Sequence, residues 1–502
     1  MNMNVFKKTK NILRWIDNNF VIVLIAFAFL AMAISLSIGL IQSVWFDEAY
    51  SVMVAKQPID SILHLTALDT HPPFYYLLLH VWGGLFGWND IALRGLSVLC
   101  LGGSIYFAGL LIKKMFNTRA ALVILPIISL SPFLLRYGFE IRMYALASLI
   151  GIAATYVLIR MSEIKDKKQL NNWRIYYVLL VAIGMFTLYY TALLWIAHLS
   201  WLIYGSIKRK ENFFKTVWLK LYLYSFILYL LWLPVFLHQV SNGALAPISQ
   251  PMTIDNLVGI ISFNFVYQPV WQLTALMSMV IVFVIAALSF LSVRAFKISD
   301  DKQKYNLLLL GFYMLIPILI LAFVGLFRPM YVERYLAHVT IGGLLYIGAI
   351  VYISNIKSSK LIKLCSGAML AVMLIGLINL IQFGNYNFQR LQKPDIKNAS
   401  SLMKACADTD SILANDPYVA IELNYYLPKC TINFYSEQAK LGGGYAPLSE
   451  SSLRIYDIAK QLDGAKNIYY AYYDKSTLQM PLEFKSVSKQ AFGPLNVEKF
   501  SK

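Results

Sequence analysis

Residues 20–50 read FVIVLIAFAFLAMAISLSIGLIQSVWFDEAY. The first part, 20–42, carries no charge, and about 20 such residues suffice for a helix to cross the hydrocarbon core of a bilayer. The run is longer than the roughly 7–15-residue core of a signal peptide and follows a basic start (Lys7, Lys8, Lys10, Arg14), so it reads as a retained signal anchor. It stops on Trp45-Phe46-Asp47-Glu48-Ala49-Tyr50. Two adjacent carboxylates therefore stand between aromatic residues where the membrane meets water.

The whole chain agrees with this beginning. It has 502 residues, 58% hydrophobic and only 14% charged, against about 25% charged in an average soluble protein. That excludes a secreted or cytosolic globular enzyme, a disordered chain and a disulfide scaffold. Further apolar runs lie near 91–112, 119–135, 141–160, 175–189, 191–207, 217–239, 273–295, 306–327, 335–355 and 364–383. With the first, they predict an α-helical polytopic membrane protein of about 11 transmembrane helices. The net charge of +18, from 44 Lys+Arg against 26 Asp+Glu, suits a nucleic acid or a membrane surface. Position decides for the membrane, and no nucleic-acid partner is expected. With a cytoplasmic N-terminus, most Lys and Arg of the region 1–383 fall in inner loops. The outer loops before residue 384 hold only Lys56, Arg94, Arg136, Arg142, Arg328 and Arg334. This is the positive-inside pattern, and an odd number of spans puts residues 384–502 outside.

Residues 384–502 differ in composition. Short β-type runs (Ser411–Ala414, Cys430–Tyr435, Asn467–Tyr473) mix with an amphipathic stretch (Ser451–Leu462), which predicts a small C-terminal extracytoplasmic α/β domain. The expected division is 1–383 for the membrane domain and 384–502 for the outer one. Cys100 and Cys365 lie in apolar runs and read as small core residues. Cys406 and Cys430 are either two free thiols or, in an oxidising exterior, a disulfide. No C-x-x-C spacing occurs.

The outer loops are where the chemistry gathers. Acidic residues Asp47, Glu48, Asp60, Asp69, Asp90, Glu140, Asp255 and Glu333 lie there, mostly within a few residues of a span end. Ionisable groups at that depth are costly unless paired or solvated, and so raise a site hypothesis. The Asp47-Glu48 pair offers one general base and one supporting group; the plainer reading is a solvated loop start in an aromatic belt. In Asp69-Thr70-His71-Pro72-Pro73-Phe74-Tyr75-Tyr76, the two prolines fix the backbone behind His71 and can start a helix. The apolar stretch 73–88 that follows is too short to span, so a re-entrant or interfacial helix on the outer face is expected. A lone His is more often structural, but one at a helix start is well placed to meet an anion. In Arg136-Tyr137-Gly138-Phe139-Glu140-Ile141-Arg142-Met143-Tyr144, Arg142 either serves a site, pairs with Glu140 or snorkels. In Arg328-Pro329-Met330-Tyr331-Val332-Glu333-Arg334-Tyr335, Arg334 suits a phosphate by its fork geometry, or else pairs with Glu333 or another loop carboxylate.

Taken in order, a first span followed by Trp45-Phe46-Asp47-Glu48, then Asp69 to Tyr76, then Glu140-Ile141-Arg142-Met143-Tyr144, then Arg334-Tyr335-Leu336, resemble the GT-C superfamily of polytopic glycosyltransferases. More narrowly, the chain is similar to the bacterial relatives of protein O-mannosyltransferases and of the lipid A aminoarabinose transferase, over roughly residues 1–383. The resemblance implies an inverting enzyme that passes a sugar from a polyprenyl-phosphate carrier to an acceptor on the non-cytoplasmic side. It implies that Asp47 is the base or positions the acceptor, with Glu48 beside it and Glu140 near a second acidic position. It puts His71, Arg334 and Arg142 at the lipid phosphate, with Asp69, Tyr75 and Tyr76 as substrate-binding candidates. No cofactor or metal is expected, an acidic pair with Mg²⁺ or Mn²⁺ being the open alternative. Expected partners are the polyprenyl-phosphate-linked sugar, the bilayer, and an envelope polymer, glycolipid or protein as acceptor.

Two other functions compete. A transporter or flippase of lipid-linked sugars should show repeated halves and polar residues in mid-membrane, whereas charge here collects in outer loops. A non-catalytic scaffold or sensor leaves those charged loops without a purpose.

Overall fold

The computed structural model describes residues 11, 14–241, 253–267, 275–355, 360–384, 392–403, 406, 410–435, 447–448, 451–458, 462, 464–473 and 480–502. The chain forms two compact units. One comprises Met1–Ile38, Ser97–Leu233 and Ser249–Phe383; the other comprises Gly39–Leu96, Pro234–Ile248 and Gly384–Lys502.

Among the described residues, six helical segments are long and apolar enough to cross a membrane: Phe20–Leu40, Asp90–Met115, Tyr144–Met161, Ala275–Ile298, Asp301–Gly325 and Glu333–Asn355. Two bent pairs pass the same test jointly. They are Thr118–Ser129 with Pro132–Gly138, bent by 62°, and Val217–Tyr229 with Leu233–Ser241, bent by 75°. The remaining apolar runs lie in the helices Lys167–Thr187, Thr191–Lys208 and Lys360–Phe383. Each of the eleven runs therefore meets a helix or a bent pair. The 175–189 run underestimates its helix because Asp166 accepts from the Gln169 N–H and starts the helix in polar sequence. Apolar side chains such as Ile22, Ile25 and Phe29 on the first helix, and Leu319 and Phe323 on Asp301–Gly325, are exposed. Such surface suits lipid rather than water.

In the first unit, small residues let helices approach. Gly342 lies against the Tyr313 ring, and Gly138 against Leu101 and Ser35, with no room for a Cβ at either. The bend at 129–132 has a local cause. Ser131 accepts from the Leu134 N–H and Pro132 occupies the first helical position, so a new helix begins there and carries Arg136 in its last turn.

In the second unit, three helices too short to span follow one another: Phe46–Ala55, Ile59–Leu68 and Phe74–Phe86. The last is the short helix expected from 73–88. It ends at Gly87, whose φ of 96° is open to glycine. Trp82 of this helix donates from Nε1 to the Ala92 carbonyl at 2.7 Å, and His80 Nδ1 bonds the Ala55 carbonyl at 2.8 Å.

The C-terminal part of this unit is a six-stranded sheet. Its strands are β1 (Asp410–Ala414), β2 (Ile432–Tyr435), β3 (Arg454–Ile455), β4 (Asn467–Tyr473), β5 (Lys485–Phe492) and β6 (Leu495–Ser501), in the order β3-β2-β1-β4-β6-β5. β1 pairs in parallel with β2 (Ile412↔Ile432) and with β4 (Ile412↔Tyr469), while β6 runs antiparallel to β4 and β5. Alternate residues feed two apolar clusters. Ile412, Ala414, Ile432 and Phe434 pack with Val419, Ala420 and Leu423 of the helix Pro417–Tyr426; Leu413, Ile468, Tyr470 and Tyr472 form the other. Cover on both faces is what parallel strands require. Cys406 and Cys430 form a disulfide, which answers the question the sequence left open. Within the stretch Ser451–Leu462, read as amphipathic, Arg454–Ile455 is a strand, because its extended backbone pairs with Phe434 and Tyr435 of β2.

Candidate active site

The two neighbouring carboxylates Asp47 and Glu48 occupy the first turn of the helix Phe46–Ala55, where negative charge meets the positive end of the helix dipole. Their environments differ. Glu48 is fully buried, accepts from Arg94 Nη2 at 3.2 Å and reaches back to the Trp45 N–H at 3.2 Å. Arg94, also fully buried, donates in addition to the carbonyls of Gly39 and Gln42, at the end of the first membrane helix. Glu48 is thus committed to holding the turn, whereas Asp47 is half-buried on the next position.

Arg94 itself was not singled out in the sequence. The signal was present: a charge four residues into an otherwise apolar helix needs a partner. What the sequence did not give was which carboxylate answers it.

In the same unit, Asp69 and His71 are buried together. Asp69 accepts from Tyr76 OH at 3.3 Å and from the Thr70 hydroxyl at 3.4 Å. His71 Nδ1 lies 2.9 Å from Thr70 Oγ1 and 3.6 Å from Asp69 Oδ2, which fixes the ring's orientation through that nitrogen. Tyr75 and Tyr76 are buried in the first turns of Phe74–Phe86, ring against ring at 6.1 Å. Asp69, His71 and Tyr76 therefore form one connected group.

The first unit holds the other group. Arg136 and Glu140, both buried, pair across one turn at 3.6 Å. The Glu140 carbonyl accepts from Ser97 Oγ at 2.6 Å and from the Arg142 N–H at 2.7 Å. Arg142 is buried beside it. Arg334 Nε donates to Tyr144 OH at 2.9 Å, and its guanidinium lies 5.7 Å from the Tyr335 ring centroid. Glu333 accepts from Tyr137 OH at 3.3 Å. The Glu140–Arg142–Tyr144–Arg334 residues are thus linked in one chain of neighbours. The carboxylate of Glu140 pairs with Arg136, and Glu333, beside accepting from Tyr137 OH, lies in the field of Arg334, the pairing the sequence offered for that arginine.

Two more carboxyls of the second unit lie at the helix Pro417–Tyr426, and one of them, Glu422, feels the charge of Asp47. Asp416 caps the helix Pro417–Tyr426, accepting from the Val419 N–H at 2.9 Å, and burial raises its pKa above the usual range. Glu422, buried on that helix, is pushed well above the usual carboxylate range by burial first, then by the charges of Asp416 and Asp47, against the opposing pull of the Phe46 N–H and Lys393. Among the described residues, no three His, Cys, Asp or Glu side chains gather as a metal site would require.

Comparison with known proteins follows this geometry. The profile of the dolichyl-phosphate-mannose-protein mannosyltransferase family matches residues 70–238, less than half of the chain. No curated protein sequence matches the chain. Among solved structures, ArnT from Cupriavidus metallidurans bound to undecaprenyl phosphate is similar with a TM-score of 0.63 at 10% identity, over 96% of this chain and 98% of that one. Its apo state gives a TM-score of 0.61 at 10% identity over the same shares. The oligosaccharyltransferase of Archaeoglobus fulgidus in the apo form gives 0.51 at 11% identity, over 89% of this chain and 69% of that one. At such identities the likeness is one of fold. The GT-C fold implied by the motifs is present, and residues 70–238 relate the chain in sequence to the mannosyltransferase family. The apolar helices and the match over residues 70–238 support a place in the membrane.

Proposed function

We propose that this protein is an inverting glycosyltransferase that moves a sugar from a polyprenyl-phosphate carrier to an acceptor on the outer face of the membrane. The observation that carries the reading is the division of labour between two adjacent carboxylates. Glu48 is held by Arg94, and Asp47 stands half-buried on the same turn, at the end of an apolar helix, in a GT-C fold.

The reaction asks for few groups. The acceptor oxygen attacks the anomeric carbon, and its proton passes to the Asp47 carboxylate. The bond from that carbon to the carrier phosphate breaks, and the polyprenyl phosphate leaves with the electron pair. A phosphate leaving group is already anionic, so it needs cations rather than a strong acid. We assign that role to His71, Arg334 and Arg142. Arg334 suits it because Tyr144 fixes its Nε side. The reading gives Glu140 the second acidic position and Asp69, Tyr75 and Tyr76 contacts to substrate. No metal is needed for this chemistry, and EDTA should leave the rate unchanged.

A carrier of this kind is supported by the undecaprenyl phosphate bound to the similar ArnT. The acceptor is an envelope polymer, a glycolipid or a protein hydroxyl. An extracytoplasmic position for residues 384–502 is supported by the Cys406–Cys430 disulfide and by the basic inner loops of 1–383.

The test uses the full chain in nanodiscs with polyprenyl-phosphate hexose carrying labelled sugar and an envelope extract. Label should leave the lipid with wild type and not with Asp47→Asn. Donor binding without release, across several sugars, would point to transport. Equal release by both proteins would remove Asp47 as the base.

A further inference from the structure

The helix that carries Asp47 starts without a conventional cap. Its cap position is Trp45, and an indole offers no acceptor to the first-turn N–H groups. Glu48, on the first turn, is turned to Arg94 and to the Trp45 N–H. The acceptor for the Phe46 N–H arrives from far along the chain: it is the carboxyl of Glu422, on Pro417–Tyr426.

The same region grips the residues just before Asp47 one after another. The Ser43 hydroxyl donates to Asp395 Oδ1 at 3.0 Å and accepts from the Lys397 N–H at 3.2 Å. The Val44 N–H donates to Tyr426 OH at 2.7 Å. The Lys393 ammonium lies 4.4 Å from the Trp45 ring centroid. The Phe46 ring meets the Tyr418 ring edge-on at 4.4 Å. Tyr425 OH donates at 2.6 Å to Asp90 Oδ1, on the first residue of the helix that supplies Arg94. Four consecutive residues, 43 to 46, are thus each held by a residue between 393 and 426, directly before Asp47.

From this geometry we infer that Glu422 is a positioning residue for the base. By capping the Phe46–Ala55 helix, together with Tyr426 and Tyr418, it fixes the backbone on which Asp47 stands. The inference rests on the reading of Asp47 as the base. Burying a carboxyl costs free energy unless it is well partnered, and the Phe46 N–H gives Glu422 its use. The groups facing it are Asp416 and Asp47, Lys393, and Tyr473, whose hydroxyl is raised by burial and by the charges of Glu422 and Asp416.

The experiment measures kcat and donor KM for the full chain in nanodiscs, with labelled polyprenyl-phosphate hexose, for wild type, Glu422→Ala, Glu422→Gln, Tyr426→Phe and Asp47→Asn. Melting is followed in parallel. Displacing a reacting group by about 1 Å can cost about a hundredfold in rate. Glu422→Ala should therefore lower kcat by about ten- to a hundredfold while donor KM stays within about twofold. Glu422→Gln keeps an acceptor for the Phe46 N–H and should recover most of kcat. Tyr426→Phe, which loses only the Val44 contact, should lower kcat by a few-fold. If Glu422→Ala does not fold, the Tyr426→Phe result decides. Wild-type kcat in Glu422→Ala, a Gln variant as slow as the Ala variant, or a fall confined to KM would each overturn the inference. Asp47→Asn separates the two levels. If it is inactive while Glu422→Ala is normal, only the positioning role fails; if it is active, the base itself is elsewhere.

Discussion

The segments Ser43–Glu48 and Arg136–Tyr144 pose the same problem, polar and charged residues at the ends of apolar helices, and meet it differently. In Arg136–Tyr144 the carboxylate is answered within its own loop, one helical turn away, by Arg136. In Ser43–Glu48 one carboxylate is answered by Arg94, and the segment is held through side chains by Asp395 and Tyr418 and through backbone N–H groups by Glu422 and Tyr426. The Arg136–Tyr144 loop answers its carboxylate locally, though Ser97, Glu333 and Arg334 also reach it. A segment held by late residues depends on another part of the chain having folded.

The largest expected effect tests the segment held from afar. Removing a general base lowers rates by about 10²- to 10⁴-fold, so Asp47→Asn should fall in that range with melting unchanged. Glu140→Gln, if Glu140 serves mainly its pair with Arg136, should lose much less, in the same labelled-donor assay. Next come the two arginines. Breaking a buried ion pair by removing one partner costs about 3–5 kcal/mol. Arg94→Met should reach that range, because Gly39, Gln42 and Glu48 all lose their donor, and adding Glu48→Gln should restore part of it. Arg136→Met should cost less; equal losses in thermal melts would erase the contrast.

The third change loosens the C-terminal region rather than the segment. A disulfide closing a loop of sequence separation 24 contributes about 3 kcal/mol in the chain-entropy picture. Cys406→Ser with Cys430→Ser should lower the melting temperature, and if late residues hold Asp47 it should lower kcat as well. Smaller again is Tyr144→Phe in the other loop. A hydrogen bond to a charged group contributes about 1.5–3 kcal/mol, so donor KM should rise about tenfold with kcat nearly constant.

The smallest effect is one of pH. The pKa of Glu422 in the fold lies above its ordinary value of 4.5. The folded protein then binds the more protons above that pH, so the stability from the neutral carboxyl is full below about 4.5 and is lost as pH rises through the raised value. Glu422→Gln should melt like wild type near pH 4.5 and above wild type at pH 8. A gap that shrinks with rising pH would contradict the burial.

Much of the fold was legible because lipid imposes one rule over long stretches: every apolar run had to become a helix. The site loops were legible for a related reason, since charge stands out in a chain with so little of it. The two pairings that organise the segment were not. Arg94 announced a partner without naming it, and Glu422, Tyr418 and Tyr426 sit in a stretch, Pro417–Tyr426, where the sequence marked no site residue. Nothing local connects them to Phe46. The C-terminal strands show the same limit. β1 and β4 were readable from β-branched and aromatic runs, but β5 is exposed along nearly its whole length, so Lys485–Phe492 has no apolar face to give its period away. It is recognisable only through its pairing with β6, across a turn at Gly493, where φ is 63°.

The cap on the Phe46–Ala55 helix also carries a schedule. A ribosome adds about 5–20 residues per second, so on the order of tens of seconds separate the synthesis of Phe46 from that of Glu422. Through that interval the membrane helices can insert while the turn bearing Asp47 has no Glu422 to close it. A nascent or prematurely terminated chain would sit in the bilayer with its base unset, and only the finished translation product would be armed.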